Sequence, residues 1–322
     1  MIVKKILTIF LIVFILGVGT FLVYFGYLVK SKAGQDSTKE VFEVKDQSST
    51  LEIAQNLEAK QFVKSDWAFY VYAKLKEKTL KPGAYLLSQD MTTEQIVNKI
   101  SDGKTAVRKV TIPEGWRMEQ IAQYLDNNNY ANYDEFVALA KEYEGKIFPD
   151  TYYVTVDSKA KEILEMMLED YKLRTEEINP TADDLVLASI IEREAKNDSE
   201  RTAIAGVYKN RLKIDMKMEA DPTVLYAHDS RLLASGRFDL KSYEFWQPIA
   251  FADYLKETSP YNTYLNKGLP PAPICNPGLK SIEAAKSPDT SNYMYFFHGK
   301  DGKIYLSETV AEHDRKKALY LK

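Results

Sequence analysis

The N-terminal apolar segment sets the strongest limit on how this chain folds. Residues 6–29 form a run of 24 without one charged side chain, between Lys4-Lys5 and Lys30. A helix needs about 20 apolar residues to cross the hydrocarbon core of a bilayer, whereas a secretory signal has an apolar core of roughly 7–15 residues. The run therefore predicts one uncleaved transmembrane helix at 6–29 rather than a cleaved signal.

The charges around this run bear on its orientation. Two lysines precede it at positions 4 and 5, and two follow it at positions 30 and 32, so the flanks are nearly balanced. The short head at 1–5 and the long C-terminal tail favour an N-terminus inside the cell. We therefore predict a single-pass protein of the cytoplasmic (inner) membrane, with a cytoplasmic head at 1–5 and the folded part extracytoplasmic.

The composition of the whole chain excludes several classes of function. The 322 residues are 45% hydrophobic and 28% charged, with a formal net charge of −3, so no basic excess indicates a nucleic-acid partner. Cys275 is alone, which rules out an internal disulfide and indicates a small buried residue. His228, His298 and His313 lack metal-ligand spacing. We predict no metal site and no cofactor.

A polar linker at 30–40 separates the apolar run from a weak internal repeat. The repeat is a pair of adjacent apolar residues with a third three positions on, which marks one face of a short helix. Each copy follows a possible strand, at 41–44, at 85–87 and at 107–112. Residues 41–110 resemble a LysM-like carbohydrate-binding module, and generic amphipathic helices are an equally weighted alternative. The copies are Ile53-Ala54-x-x-Leu57, Ile96-Val97-x-x-Ile100 and Ile121-Ala122-x-x-Leu125.

The remainder, residues 111–322, is predicted to be one helix-rich domain with short β-sheets, so that the fold class is α+β. The patterns predict helices near 133–143, 159–176, 181–196, 199–213, 281–285 and from 309 onward. Strands at 293–298 and 303–307 flank a hairpin turn. The segment 215–276 is rich in proline, glycine and polar residues, and it predicts extended loops, which either build a binding cleft or belong to a merely irregular domain.

The stretch "ASIIEREA" at 188–195 places a carboxylate directly after an apolar run. Leu185, Ala188, Ser189 and Glu192 share one stripe of the predicted helix. Burial raises the pKa of a carboxyl group, and a protonated glutamic acid can donate to a glycosidic oxygen and then take a proton back. The alternative is a solvated face in which Glu192 pairs with Lys196 at i,i+4.

Glu194, two residues further on, is interpreted as solvated or structural, because it precedes a polar Asn-Asp turn at 197–198.

Eight motifs in order resemble one family, the endolytic murein transglycosylases of the MltG/YceG-like type. Each motif is modest alone, and their order along nearly the whole chain makes the resemblance specific. They are "TIPEGW" (111–116), "FPDTY" (148–152), "ASIIEREA" (188–195), "GVYKNRL" (206–212), "DPTVLY" (221–226), "SPYNTY" (259–264), "GLPPAPI" (268–274) and "NPG" (276–278).

The resemblance implies an activity and a catalytic residue. Members cleave the β-1,4 bond between N-acetylmuramic acid and N-acetylglucosamine in peptidoglycan strands, without water, and leave 1,6-anhydro-muramyl ends that terminate nascent strands. The first glutamate of the S-I-x-E-x-E stretch, here Glu192, would protonate the leaving oxygen and then deprotonate the muramyl 6-hydroxyl. Penicillin-binding proteins and the elongation machinery are the partners that the resemblance suggests.

The resemblance also implies substrate-binding positions. Asp221 and Asp150 could equally form turns beside prolines. The positions are Asp221, Thr223 and Tyr226 in D-P-T-V-x-Y, Tyr261, Asn262 and Thr263 in Y-N-T-Y, and Phe148, Asp150 and Tyr152 in F-P-D-T-Y.

The chain departs from the family pattern at several points. Glu219 stands where Gln is expected, and Ala272 where Gly is expected. Lys303-Ile304-Tyr305 replaces an H-x-F, and the aromatic stretch 231–257 is longer than expected. The departures at Glu219, Ala272 and Lys303 motivate an alternative function, a non-catalytic glycan-binding scaffold of the wall-synthesis machinery. A third hypothesis is a hydrolase that releases reducing ends.

Overall fold

The computed structural model describes residues 2–103, 107–155, 158–236 and 238–321, without the side chains of residues 2–6 and 8. Its described part is helix-rich and holds three two-stranded sheets, which confirms the α+β class. The chain divides into two compact units, Met1–Lys109 with Tyr153–Val156 and Val110–Tyr152 with Asp157–Lys322.

The apolar run forms one continuous helix, α1 (Ile2–Lys30), as predicted. Within it, Ile9–Lys30 is long and apolar enough to cross a membrane. Most of the large apolar side chains described between Leu7 and Tyr24 are exposed, whereas Val29 near the helix end is 5% exposed. The C-terminal end of α1 packs on α3 within the first unit, where the ring of Phe25 lies 5.6 Å from that of Trp67.

The rest of the first unit is built from short elements around a core. β1 pairs with β2 in antiparallel register, with Phe42 opposite Tyr85. Alternation along β1 turns Phe42 and Val44 inward, against apolar residues of the helices. The elements are β1 (Glu40–Val44), α2 (Thr50–Ala59), α3 (Asp66–Leu75), β2 (Gly83–Leu87) and α4 (Thr93–Asp102).

The segment predicted as a linker makes backbone hydrogen bonds to the loop between β2 and α4. Gly34 N–H donates to the carbonyl of Gln89 at 2.9 Å, and Asp90 N–H donates to the carbonyl of Asp36 at 3.0 Å. This part of the linker therefore runs along the first unit.

The three copies of the apolar repeat lie on helices, as predicted. They fall on α2, α4 and α5 (Met118–Asn127), and every apolar residue of the three copies is buried. The strands predicted before them are present as β1, β2 and β3 (Val107–Thr111).

The second unit is mainly helical and ends in a hairpin and a helix. β5 pairs with β6 in antiparallel register. β3 pairs with β4, and the division of the chain into two units passes through both of these strands. Beyond α5, the elements of this part are α6 (Tyr133–Ala140), β4 (Thr151–Thr155), α7 (Ala160–Thr175), α8 (Ala182–Glu194), α9 (Arg201–Lys213), α10 (Asp221–Ala234), α11 (Phe251–Tyr254), α12 (Leu279–Lys286), β5 (Tyr295–His298), β6 (Ile304–Ser307) and α13 (Val310–Tyr320).

Helix α8 lies at the centre of the second unit. Thr181 and Asp184 cap its start reciprocally, side chain to backbone, which fixes where the helix begins. Residues 184–191 are all buried, and the helix packs against α9, α10 and α12. A helix whose middle turns are apolar on every side must be surrounded by others, so only its two ends can carry charged groups to a site.

Helix α10 corrects the loop interpretation of residues 219–229. Pro222 stands in the first turn of α10, where a missing N–H costs nothing and the fixed φ favours a helix. Thr223, Val224 and Ala227 are then buried on one face. The prolines of this segment do not all mark loops. The long stretch 231–257 begins as the last turn of α10 and contains α11; Arg237 lies outside the described residues.

Candidate active site

A cavity of about 440 Å³ lies beside the last turn of α8, within the second unit. Residues from α8, α9, α10, the β5–β6 hairpin and α13 line it. Its walls combine aromatic rings with acids and cations, which is the make-up of a site for a polar ligand with flat apolar faces. The polar groups include Glu194, Tyr208, Arg211, Glu219, Asp221 and Tyr264.

Glu194 is the group of this cavity that is best suited to proton transfer. It is the last residue of α8, and its Oε1 accepts a hydrogen bond from the Tyr208 hydroxyl at 3.2 Å. Burial, and next the negative charge of Asp221, raise the pKa of Glu194 to about 7, against the opposing effects of the Tyr208 hydrogen bond and of Arg211. A carboxyl group with a pKa near the working pH can both give and take a proton. Of the two interpretations of Glu194 from the sequence, solvated or structural, the solvated one is wrong.

Asp221 faces Glu194 from the start of α10. Its Oδ1 accepts a hydrogen bond from the Tyr264 hydroxyl at 2.6 Å. Two hydroxyls join the segments that carry these residues: Thr223 Oγ1 lies 2.9 Å from Thr263 Oγ1. Both threonines are almost fully buried, at 0% and 1% exposure. The D-P-T and Y-N-T-Y motifs are thus fastened together, with Asp221 and Tyr264 at the cavity.

Asn262 shapes the loop that leads to Tyr264. It is fully buried, and its Nδ2 donates to the carbonyls of Tyr254 at 2.7 Å and Glu257 at 2.8 Å. Its Oδ1 accepts from the N–H of Tyr264 at 2.9 Å. These bonds satisfy the amide within the protein, so Asn262 positions the loop.

Tyr226 and Tyr261 belong to a second, neighbouring cluster. Their ring centroids are 4.7 Å apart, and the guanidinium carbon of Arg117 lies 4.1 Å from the centre of the Tyr226 ring. Arg117 is fully buried and pairs with Glu119 at 2.7 Å. Neither tyrosine lines the cavity of Glu194.

Glu144 lies under this second cluster. Its carboxylate accepts from the N–H of Met118 at 3.0 Å and from Asn276 Nδ2 at 2.7 Å. Burial, and next the charge of Glu119, raise the pKa of Glu144. Asn276 is fully buried and also accepts from the N–H groups of Gly145 and Ile147, at 2.8 and 2.9 Å. The hydrogen bonds of Glu144 and Asn276 therefore connect the "NPG" motif at 276–278 to the segment at 143–150.

Glu192 lies on the other side of α8 from the cavity wall. Its side chain is 6% exposed, with Oε2 3.1 Å from Arg201 Nη1. The N–H of Gly278 donates to the same oxygen at 3.0 Å. The helical stripe of Leu185, Ala188, Ser189 and Glu192 is buried, as predicted. The alternative, in which Glu192 lies on a solvated face and pairs with Lys196, is wrong. An arginine and a backbone N–H therefore hold this carboxylate in place.

The F-P-D-T-Y residues form a cluster with α7. The Tyr152 hydroxyl donates to the carbonyl of Phe148 at 2.6 Å, and Asp150 pairs with Arg174 at 2.7 Å. Asp150 and Tyr152 line a different cavity, of about 420 Å³. Residues 148–152 are thus grouped with α7 and are not part of the Glu194 cavity wall.

The remaining candidates have structural partners. Cys275 is buried, as predicted, and its thiol donates to the carbonyl of Ser189 at 3.2 Å. His298 lies 3.0 Å from Glu200, and His228 lies 2.8 Å from Glu257. Among the described residues, no three His, Cys, Asp or Glu side chains are grouped as a metal site.

Sequence reasoning missed Glu194, Arg211 and Tyr264. A signal for Glu194 was present, because Leu187, Ile190 and Ile191 place it on a helical stripe as apolar as that of Glu192. Arg211 and Tyr264 stand inside motifs already singled out, "GVYKNRL" and "SPYNTY". Their common cavity depends on contacts between distant segments, which no local pattern reveals.

Comparison with known proteins identifies the family. A model of the YceG-like family matches residues 42–318. The chain is 31% identical over 315 residues to an endolytic murein transglycosylase of Bacillus subtilis strain 168, spanning 85% of this chain and 82% of that protein. It is 30% identical over 324 residues to the protein of the same name from Streptococcus pneumoniae D39, spanning 84% of this chain and 56% of that one.

A solved structure agrees with these sequence matches. The crystal structure of a yceG-like protein from Listeria monocytogenes, at 2.6 Å, is 33% identical, with a TM-score of 0.54. The match covers 86% of this chain and 98% of that one. With the family model matched from residue 42 to residue 318, the chain belongs to the YceG-like family.

Proposed function

We propose that this protein is an endolytic lytic transglycosylase of peptidoglycan. It would cleave the β-1,4 bond between N-acetylmuramic acid and N-acetylglucosamine within glycan strands and leave 1,6-anhydro-muramyl ends, which terminates nascent strands. Two relatives named endolytic murein transglycosylase support the reaction class. The observation that carries the proposal is Glu194, a carboxyl group with a pKa of about 7 in the wall of a 440 Å³ cavity.

One carboxyl group suffices for this reaction. Glu194 donates its proton to the bridging oxygen as the bond from that oxygen to the muramyl C1 breaks. The muramyl 6-hydroxyl then attacks C1, and the Glu194 carboxylate takes the hydroxyl proton, so that the enzyme returns to its starting state. The attacking hydroxyl belongs to the same sugar, and a nucleophile held in place needs no activated water.

Other groups of the cavity would position Glu194 and the sugars. The Tyr208 hydroxyl orients its carboxyl group, since it donates to Oε1 at 3.2 Å. Asp221 and Tyr264 share a hydrogen bond of 2.6 Å and offer groups for sugar hydroxyls. Thr223, Asn262 and Thr263 would act by holding these segments. Sugar contacts of Tyr226, Tyr261 and residues 148–152 stay predictions from the resemblance.

The geometry supports Glu194 rather than Glu192 as the acid. The resemblance assigns the acid to Glu192, and that assignment stays a prediction. Glu192 lies 3.1 Å from Arg201 and accepts from a backbone N–H, so two protein donors already occupy its carboxylate. Glu194 has no comparable ion pair among the described residues, and burial raises its pKa to about 7.

The test is digestion of purified peptidoglycan by the detergent-solubilised full chain, with products identified by mass. Wild type should give 1,6-anhydro-muramyl ends. Glu194→Gln should lose at least about a hundredfold in rate, because general acid–base catalysis contributes at least that much. The matched variant Glu192→Gln should keep most of the activity. If wild type produced no anhydro ends, the proposed function would be rejected. If Glu192→Gln lost its activity and Glu194→Gln kept it, Glu192 would be the catalytic acid.

We propose in addition that α1 anchors the protein in the cytoplasmic membrane, with the N-terminus inside and the second unit outside. The candidate span at Ile9–Lys30 supports this, and peptidoglycan lies on that side of the membrane. The compact strand–helix–helix–strand order of residues 40–87 supports a LysM-like module that binds glycan. Association with penicillin-binding proteins or the elongation machinery stays a prediction of the resemblance.

The alternative function is a glycan-binding scaffold without catalysis. The departures at Glu219, Ala272 and Lys303 motivate it. In the same digestion, retention of glycan strands without any cleaved product would favour the scaffold over the enzyme.

A further inference from the structure

Arg193 stands between the two glutamates at the end of α8 and has no part in the reaction described above. It is exposed, and its guanidinium carbon lies 4.3 Å from the centre of the Trp246 ring. A guanidinium that lies over an aromatic ring keeps the N–H groups at its edge available as donors. The contact with Trp246 therefore holds a cation at the surface of the second unit.

Trp246 is a fixed platform for this guanidinium. It belongs to the long aromatic stretch 231–257, and its backbone is left-handed with φ of 62°, which is costly for a residue other than glycine. Its N–H donates to Asp229 Oδ2 at 2.9 Å, and its indole Nε1 donates to Gln120 Oε1 at 2.6 Å. Asp229 is buried, so these bonds connect the ring to the interior. Backbone strain that the surroundings maintain is concentrated at functional sites.

The turn of the "TIPEGW" motif also contacts Arg193. A Cβ atom at Gly115 would lie 3.4 Å from Arg193 Cδ and Nη1, and 3.4 Å from Glu192 Cγ. The backbone of Gly115 therefore lies against both side chains at van der Waals distance. This common contact places the guanidinium of Arg193 beside Glu192, where α8 ends.

The neighbouring acids pair with another arginine. Oxygens of Glu192 and Glu114 lie 3.1 and 3.9 Å from nitrogens of Arg201. Within the part of the chain that the structure describes, no carboxylate comes within ion-pair distance of Arg193. Its positive charge is therefore left for a group outside the protein.

A carboxylate is the group that such an arginine recognises best. The planar fork of N–H donors matches the two oxygens of a carboxylate, and hydrogen bonds between charged groups are about twice as strong as neutral ones. The N-acetylated sugars of a peptidoglycan strand are uncharged, and its carboxylates belong to the peptide stems on the muramyl lactyl groups. The muramyl residue whose C1–oxygen bond breaks therefore brings a stem to the site.

We propose that Arg193, held on Trp246, binds a carboxylate of the peptide stem, so that this protein prefers strands with free stem carboxyl groups over strands with amidated stems. The inference rests on the proposed cleavage of peptidoglycan and does not depend on which glutamate of α8 is the acid. The contact lies away from the breaking bond and is the same before and during the reaction. It therefore lowers KM and leaves kcat unchanged.

The experiment compares two forms of one substrate. Uncrosslinked glycan strands with intact stems are divided, and one portion is amidated with carbodiimide and ammonia, which converts carboxylates to neutral amides. The detergent-solubilised full chain digests both, and kcat and KM are measured from the products by mass. Wild type should cleave the untreated strands with a kcat/KM about tenfold higher. Arg193→Gln should raise KM on untreated strands about tenfold and leave cleavage of amidated strands unchanged.

Two further variants separate the position of the charge from its shape. Lys196→Gln removes an exposed cation three residues further along the chain and should keep the preference for untreated strands. Arg193→Lys keeps the charge but loses the planar fork, so its KM on untreated strands should lie between those of wild type and Arg193→Gln.

The outcomes are distinct. Equal kcat/KM of wild type on the two forms would overturn the stem contact and leave the transglycosylase intact. A drop of the same size on both forms in Arg193→Gln would also overturn it, because a sugar contact or a structural role would then be the cause. An equal loss of preference in Lys196→Gln would show that general surface charge is responsible. If wild type cleaved neither form, the proposed function would be rejected, and the stem contact with it.

Discussion

Glu192 and Glu194 stand two residues apart at the end of α8 and face different neighbours. The carboxylate of Glu192 lies 3.1 Å from Arg201, and that of Glu194 accepts from the Tyr208 hydroxyl at 3.2 Å. Side chains two positions apart on a helix point in nearly opposite directions, because each residue turns the helix by about 100°. One glutamate is therefore tied into an ion-pair network, and the other lines a cavity.

The raised pKa of Glu194 predicts a pH-dependent stability. Burial lifts its pKa from 4.5 to about 7, so the folded state favours the protonated form. Below pH 4.5 both folded and unfolded chains hold the proton, and there is no penalty. Between pH 4.5 and 7 the penalty grows, and above pH 7 it reaches an upper limit of about 3 kcal/mol.

Glu194→Gln should therefore raise the free energy of unfolding at pH 8 and leave it nearly unchanged at pH 4. Urea unfolding of the solubilised protein at both pH values measures this. If the free energy of unfolding differed between variant and wild type by the same amount at both pH values, the pKa of Glu194 would not be raised by burial. The cleavage rate of wild type should fall above about pH 7, as the acid loses its proton.

Asp221 gives a second prediction at the same site. Its negative charge raises the pKa of Glu194. Asp221→Asn should therefore move the alkaline fall of the rate profile to lower pH. Tyr264→Phe is the control, because it removes the hydrogen bond to Asp221 but keeps the charge. The measurement is the rate of anhydro-end formation as a function of pH for both variants. If the alkaline fall moved to lower pH in Tyr264→Phe as well, the loss of the Asp221–Tyr264 hydrogen bond, and not the loss of charge, would be the cause.

The Glu192–Arg201 pair should contribute to stability. The side chains are 6% and 9% exposed, so removal of one partner leaves a buried charge. Arg201→Met should cost about 3 kcal/mol in the free energy of unfolding. In a Glu192→Gln background the same change should cost at least about 1 kcal/mol less. Urea unfolding of the four proteins measures this coupling, and strict additivity would mean that the pair is not an energetic unit.

The orientation of α1 can be tested with a cysteine probe. Cys275 is buried, so the wild-type protein should resist a membrane-impermeant maleimide. Ser37 is exposed in the segment that follows α1. Ser37→Cys should be labelled in intact cells if the N-terminus is inside. Labelling that requires permeabilised cells would place this segment in the cytoplasm.

Local patterns predicted much of the fold. The three copies of the apolar repeat, at 53–57, 96–100 and 121–125, lie on buried helix faces, and the helix predicted at 181–196 is present as α8. These features depend on neighbours a few residues away, so they can be read along the chain. Helix α10 was missed, because a proline in a first helical turn resembles a proline in a loop.

The residues of the cavity could not be predicted in the same way. Tyr264 and Asp221 are 43 positions apart and share a hydrogen bond of 2.6 Å. Arg201 meets Glu192 from the start of the next helix, and Gly278 meets it from a loop 86 positions on. These contacts follow from the packing of α8 among α9, α10 and α12.

By itself, the sequence determined that the chain carries one long apolar helix and a buried helix ending in two glutamates, because hydrophobic periodicity and capping are local. The tertiary structure alone decided which glutamate meets an arginine and which meets a cavity. A helix that is apolar on every side has no preferred face until other helices pack against it, and the partners of its polar last turn come from distant parts of the chain.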